Sequence, residues 1–404
     1  MLRTTILIAL FFLFIAACAT NTPTVETVSE NSAPQITPRD TATQPSVNVA
    51  LPEMPPTSTP IPSPTENQIL KKTAENTTEN INPLTGLPVD DPSLLDRRPI
   101  AVKVQIFPRG QRPPWGISLA DIVYDYYQNN GITRLTAIFY GNDAEQVGPI
   151  RSARLFDADI IKTYKSIFVF GLADWRIYQH LNRSSFADRL VVEKYGICPP
   201  LCRIDPEGYN HLVVDTEGLT KYADENGIPN DRQELDGMHF NLTPPVNGES
   251  AEHIFVRISY SAYSSWDYDP INKKYLRFQD TMEALPGEEQ IEPLIDQLTD
   301  EQITAENVVI ILLPHKFAYQ TQAGKGELFN VLFTGNGEAY TYRDGLKYRL
   351  HWKRSDNNAP LELTFPDGTV YAYKPGNTWY QLIGETSKVE TFEDGTSRFE
   401  FNVP

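Results

Sequence analysis

The sequence predicts an α/β domain with a largely parallel sheet, followed by a β-rich α+β domain, both hung from a disordered N-terminal stalk. Three observations predict it. Strand-like apolar runs alternate three times with helically spaced runs between residues 100 and 181, the pattern of a sheet with helical crossovers. Beyond residue 250, short β-branched and aromatic runs are punctuated by glycine turns such as Asp344-Gly345, Asp367-Gly368 and Asp394-Gly395. Residues 19–80 hold ten prolines among Thr, Ser, Asn and Glu, with no glycine and no aromatic residue. Such a segment cannot bury enough apolar area to offset the entropy of ordering it.

Taken in order, residues 1–17 have the form of an export signal: Arg3, then a short apolar core from Ile6 to Ile15, too short to span a bilayer comfortably. Ile15-Ala16-Ala17-Cys18 follows, an aliphatic residue and small residues ahead of a cysteine, as in a lipobox. It makes Cys18 the lipidation site, with acyl chains such as palmitate as the anchor. Ordinary secretion with cleavage after Ala19 is the alternative. Residues 18–80 then form the tether. The expected location is the extracytoplasmic face of a cell membrane.

The first globular region, 82–245, opens at Asn82-Pro83-Leu84-Thr85-Gly86-Leu87. Ile100 to Ile106 reads as a strand. Ser118 with Asp121 three residues on resembles a capping box, so the spacing predicts a helix that buries Ile122, Val123, Tyr126 and Tyr127, carries Asp121 and Asp125 on its other face, and ends at Gly131. A strand from Arg134 to Tyr140 follows. Then comes Val147-Gly148-Pro149-Ile150-Arg151-Ser152-Ala153-Arg154, ahead of a run in which Phe156, Ile160, Ile161 and Tyr164 share one helical face. Ser152 is the expected N-cap. Arg151 and Arg154 would then flank a helix N-terminus, where free N–H groups and the positive end of the helix dipole favour an anion. A structural pair between Arg154 and Asp157, three residues apart, explains the same pattern. A strand from Ile167 to Leu172 and a helix from about Asp174 to Leu181 complete the alternation.

Cys198 and Cys202 bracket Pro199-Pro200; an even pair in an exported chain is expected to form a disulfide. His211 reads as a structural histidine. Pro244-Pro245-Val246-Asn247-Gly248 marks the start of a second domain, 250–404, in which strands dominate. Its aromatic density fits strand and core positions better than a sugar-binding surface.

Asn82-Pro83-Leu84-Thr85-Gly86-Leu87, Arg98-Pro99-Ile100-Ala101-Val102, Ala120-Asp121-Ile122-Val123-Tyr124-Asp125, Gly131-Ile132-Thr133-Arg134 and Gly148 to Arg154 resemble the signature runs of a bacterial lipoprotein family, DUF3048, named for YerB. The resemblance spans about 82–404. It implies an envelope lipoprotein without an assigned activity and supplies no mechanism. The family favours glutamate where Asp125 stands. It also favours Glu-Gly-Gly where this chain has Asn129-Asn130-Gly131, so that charge is lost here.

Composition excludes some functions. Lys and Arg number 35 against 52 Asp and Glu, a net charge of -17, which disfavours nucleic acid as a partner. The chain has no G-x-S-x-G nucleophile elbow, no H-E-x-x-H zinc helix and no P-loop (Gly324-Lys325-Gly326 lacks the upstream glycine), and no cofactor or metal is expected. The expected function is non-catalytic: an envelope lipoprotein that holds a small anionic or wall-derived ligand, or docks an envelope protein, through Asp125, Arg134, Arg151, Ser152 and Arg154. A wall-glycan hydrolase or transferase using Asp125 as acid/base, and a purely structural scaffold, are the alternatives.

Overall fold

A computed structural model describes residues 80–194, 196–205, 211–235, 237–319 and 328–402. The expected signal peptide, Cys18 and the tether lie outside the described residues, apart from the tether's last residue, Asn80. Tyr209, Asn210 and Gly324-Lys325-Gly326 also lie outside them.

Three layers make up the described chain. The middle layer is an eleven-stranded mixed sheet drawn from both halves of the sequence. In spatial order its main path runs through Glu362–Thr364, Leu346–Arg354, Gly335–Arg343, Asn307–Leu313, Thr378–Gly384, Ile122–Asn129, Ile132–Phe139, Ile100–Val104, Ile167–Phe170 and Leu190–Val192. The last three strands are mutually parallel, with helices between them in sequence. Thr378–Gly384 runs parallel to both of its neighbours, so the two halves are joined by backbone hydrogen bonds. The remaining pairings along this path are antiparallel.

Helices Asp157–Tyr164 and Trp175–Asn182 cover one face, packing Phe156, Ile160, Ile161, Tyr164, Ile177 and Leu181 on Tyr124, Tyr126, Phe168 and Phe170. The opposite face carries helix Thr216–Glu225, through Leu219 and Ala223, and a second, mainly antiparallel sheet built around Tyr263–Asp269 and Lys274–Asp280. Many aromatic residues of the C-terminal half are spent on the two faces of the central sheet: Trp266, Trp352, Trp379, Tyr275, Tyr342, Tyr371, Tyr373 and Tyr380 are each no more than 2% exposed.

The element after Ser118 departs from the sequence expectation. Residues 122–129 form a strand, not a helix, and Ser118 lies in a short 3-10 turn, Ile117–Leu119. Ile122, Val123 and Tyr124 are β-formers. Asn130-Gly131, with φ of 53° and 76°, turns this strand into Ile132–Phe139 as a hairpin. Seven of its eight residues are buried because both faces are covered, so no polar alternation announces the strand. Asp121 just before it accepts from Asn82 Nδ2 at 2.9 Å and from the backbone N–H groups of Tyr140 at 2.6 Å and Gly141 at 2.9 Å. The opening Asn82-Pro83-Leu84-Thr85-Gly86 run is thereby pinned to the sheet. Burial pushes the Asp121 carboxyl up to about 6.

Candidate functional site: an arginine cluster at the end of the parallel strands

The segment Val147–Arg154 passes over the carboxyl ends of two parallel strands. Ile150 bridges Val104, the Arg151 N–H donates to the Lys103 carbonyl at 2.9 Å, and the Gly171 N–H donates to the Arg151 carbonyl at 3.1 Å. Ligands of open α/β sheets bind at this end. Arg134 lies one residue beyond the Leu135–Val104 pairing, at the start of its own strand, and sits opposite Tyr126. The geometry therefore gathers Arg134, Arg151, Ser152 and Arg154.

Ser152 does not cap the helix. The helix begins at Asp157, after a tight turn in which Asp157, Ala158 and Asp159 donate to the carbonyls of Arg154, Leu155 and Phe156. These N–H groups are satisfied internally, so they do not form the expected anion site. The i, i+3 pairing is also altered: the Asp157 carboxylate accepts from the Arg154 backbone N–H at 2.6 Å rather than from its guanidinium.

Both guanidinium groups turn instead to the Ser152 carbonyl. Arg134 Nη1 donates to it at 2.6 Å and Arg154 Nη1 at 3.3 Å; Arg154 also donates to the Ala153 carbonyl at 2.9 Å and to Gln128 Oε1 at 2.5 Å. Among the described residues neither side chain has a carboxylate within salt-bridge distance. The Arg134 Nε is buried with no hydrogen-bond partner. Burial, then the neighbouring Arg154 and Arg151, hold Arg134 down to about 9; burial lowers Arg154 as well. A cation whose charged form is disfavoured in this way gains from an added anion.

Sequence reasoning missed the floor of this cluster. Lys103 is completely buried and donates to Thr136 Oγ1 at 3.1 Å and Asp157 Oδ1 at 3.2 Å, and also to the Tyr126 hydroxyl. Tyr126 and Thr136 donate to the same Asp157 oxygen at 2.5 and 2.8 Å. Desolvation pushes Lys103 down to about 7 against the pull of Asp157, with Arg134 and Arg154 adding to the depression. A lysine inside the apolar run Ile100-Ala101-Val102-Lys103-Val104 was the available signal.

Asp125 is elsewhere, which corrects its grouping with the arginines. Side chains alternate along a strand, so Tyr124 and Tyr126 face the helices while Asp125 faces the second sheet. There it accepts from Arg277 Nη2 at 2.9 Å and Gln381 Nε2 at 3.3 Å. The Arg277 guanidinium lies 4.9 Å from the Trp266 ring centre and 5.1 Å from that of Trp379. At 4% exposure Asp125 has no open cleft in which to act as an acid/base. Asp121, its expected companion, is committed to backbone donors. His211 Nδ1 lies 3.3 Å from Asp205, and its ring meets Trp115 edge-on. The Cys198 and Cys202 sulfurs are bonded, with Cα atoms 4.8 Å apart.

The chain matches two family descriptions in tandem: "Protein of unknown function (DUF3048) N-terminal domain" over residues 84–228 and its C-terminal counterpart over residues 254–380. It is 25% identical over 322 residues, 74% of this chain and 85% of the relative, to the Bacillus subtilis protein named "Putative lipoprotein YerB". The crystal structure of Bacillus subtilis YerB superposes with a TM-score of 0.61 at 24% identity, covering 75% of this chain and 96% of that one, and so shares the fold. The tandem match across both halves, with the shared fold beneath it, places this chain in the DUF3048 family of YerB-like proteins.

Proposed function

We propose that this protein is a lipid-anchored receptor on the extracytoplasmic face of the membrane, binding an anionic group on Arg134 and Arg154 with Arg151 and Ser152 beside them. Cys18 carries the acyl anchor, residues 18–80 are the tether, and the Cys198–Cys202 bond suits an oxidising compartment. The described residues contain no helix long and apolar enough to cross a membrane. A wall-derived acid is the ligand that such a location makes available.

One observation carries the reading: two largely buried guanidinium groups converge on a single carbonyl, with no carboxylate partner among the described residues. In a chain of net charge -17 acids abound, yet none among the described residues forms a salt bridge with these two side chains. Hydrogen bonds from a charged donor are worth about 1.5–3 kcal/mol. Arg134→Gln is therefore expected to weaken an anion by about tenfold to a hundredfold. The test is calorimetric titration of the lipidated full chain in detergent with inorganic phosphate and with N-acetylmuramic acid. Binding by the wild type that Arg134→Gln and Arg154→Gln both weaken supports the reading. Binding unchanged in both folded variants, or absent from the wild type, overturns it.

A further inference from the structure

We infer that the ligand of this site is an acidic glycan, its acid group held by Arg134 and Arg154 and an adjoining sugar ring laid against Trp175 and Tyr319; this rests on the anion-binding reading above. The two features are joined through the backbone. The Ala153 N–H donates to the Leu172 carbonyl at 2.9 Å, and Gly171 donates to Arg151, so the loop that starts helix Trp175–Asn182 is hydrogen-bonded along the arginine segment. Asp174 in that loop is held low, first by its hydrogen bond to Arg176 and in smaller part by the charge of Arg154. It is already paired with Arg176 at 2.8 Å and leaves the arginine cluster cationic.

Trp175 at this point does not behave like the tryptophans of the core. Trp175 is 64% exposed, whereas Trp266, Trp352 and Trp379 are sealed in the core. Tyr319, at the end of strand His315–Tyr319, is also exposed. Arg176 spans the two, its guanidinium 3.8 Å from the Tyr319 ring centre and 5.7 Å from that of Trp175. Arg176 thus lies over one side of the Tyr319 ring, and both aromatic side chains keep exposed surface. One turn beyond Arg176 on its helix face, His180 lines a cleft of about 500 Å³ that opens beside Leu155, the residue after Arg154. Val331 and Phe333 also line it, together with Asn330 and Asn357.

This sequence of surfaces matches one ligand chemistry. The cations select an acid. Exposed aromatic faces suit the C–H face of a pyranose, and amide and imidazole groups along a cleft suit hydroxyls. A small inorganic ion would use only the first, and a purely apolar partner would strand the arginines. An anionic membrane surface is the competing occupant, because Leu172 beside Trp175 is also exposed, at 62%.

The experiment compares tetragalacturonic acid, galacturonic acid, neutral maltotetraose and phosphatidylglycerol vesicles as probes of the lipidated full chain. It uses the wild type, Trp175→Ala, Tyr319→Ala and Arg134→Gln. Trp175 and Tyr319 are exposed, so their variants are expected to keep the native far-ultraviolet circular dichroism. The inference expects the tetramer to bind more tightly than the monomer, with Trp175→Ala or Tyr319→Ala costing the tetramer at least about fivefold while leaving the monomer unchanged. Arg134→Gln should weaken both acids, and maltotetraose should not compete. Equal affinity for monomer and tetramer, unaffected by either aromatic variant, overturns the glycan assignment and leaves anion binding standing. Indifference of both acids to Arg134→Gln overturns both readings. Preference for the vesicles, lost in Trp175→Ala, overturns the glycan in favour of a lipid surface.

Discussion

Removing Asp125 should destabilise the protein severely, and removing Arg277 with it should restore much of the loss. Asp125 projects from the central sheet and Arg277 from the second sheet; their contact is 2.9 Å, with side-chain exposures of 4% and 1%. Asp125→Leu alone leaves a buried guanidinium whose Nε and Nη1 already lack hydrogen-bond partners. Breaking a buried ion pair from one side costs about 3–5 kcal/mol, because the other charge stays uncompensated. The double variant Asp125→Leu with Arg277→Met removes both charges. Replacing a buried pair with apolar groups is often close to neutral, so the double variant should lie within about 1–2 kcal/mol of wild type. Equilibrium urea unfolding of the wild type, Asp125→Leu, Arg277→Met and the double variant, followed by tryptophan fluorescence, gives the cycle. A single variant costing under about 1 kcal/mol, or a double variant as unstable as the sum of the singles, would refute the view of Asp125 as a strut between sheets.

Lys103 is lowered to about 7 in the folded state, so between about pH 7 and its unfolded value near 10.5 the unfolded chain binds the extra proton. Stability should therefore rise with pH through that window, and Lys103→Met should flatten the rise when urea midpoints are compared at pH 7 and pH 9.5. Gly131 has φ of 76°, and an added Cβ would stand 2.8 Å from Ser259 Oγ; Gly131→Ala should cost about 1–2 kcal/mol in the same assay. Cys198 and Cys202 are four residues apart, and closing so short a loop is worth about 2 kcal/mol in the chain-entropy account, so Cys198→Ala with Cys202→Ala should lower stability by about that much.

The strands at 100–104, 132–139 and 167–170 and the helix at 175–182 were legible because their apolar residues carry the right period and sit between turn residues. The strand at 122–129 was not, since burial on both faces removes alternation and Ser118 offered a competing cap. Asn130-Gly131 was the decisive local signal, and it implied a hairpin. Converting that element from helix to strand also moved Asp125 to the far face, away from the arginines. Its partner Arg277 stands 152 residues later, and no local pattern connects the two. The same holds for the join between Ile122–Asn129 and Thr378–Gly384, which pairs Tyr124 with Tyr380 across most of the chain. The Arg151–Arg154 turn was expected at the carboxyl ends of the parallel strands because it follows one strand and precedes the next, and the Arg134 side chain meets it there through the Ser152 carbonyl. The reason given for their charge, an open helix N-terminus, differs from the arrangement observed, in which guanidinium groups share a carbonyl.

Selenate binding, read by anomalous diffraction from crystals of the chain, tests that cluster most directly. Selenate presents the charge and oxygen geometry of a small oxyanion, and selenium locates it without ambiguity. The account predicts an anomalous peak within hydrogen-bond reach of Arg134 and Arg154, absent from crystals of Arg134→Gln. Peaks at other cationic side chains with none between these two arginines would contradict it.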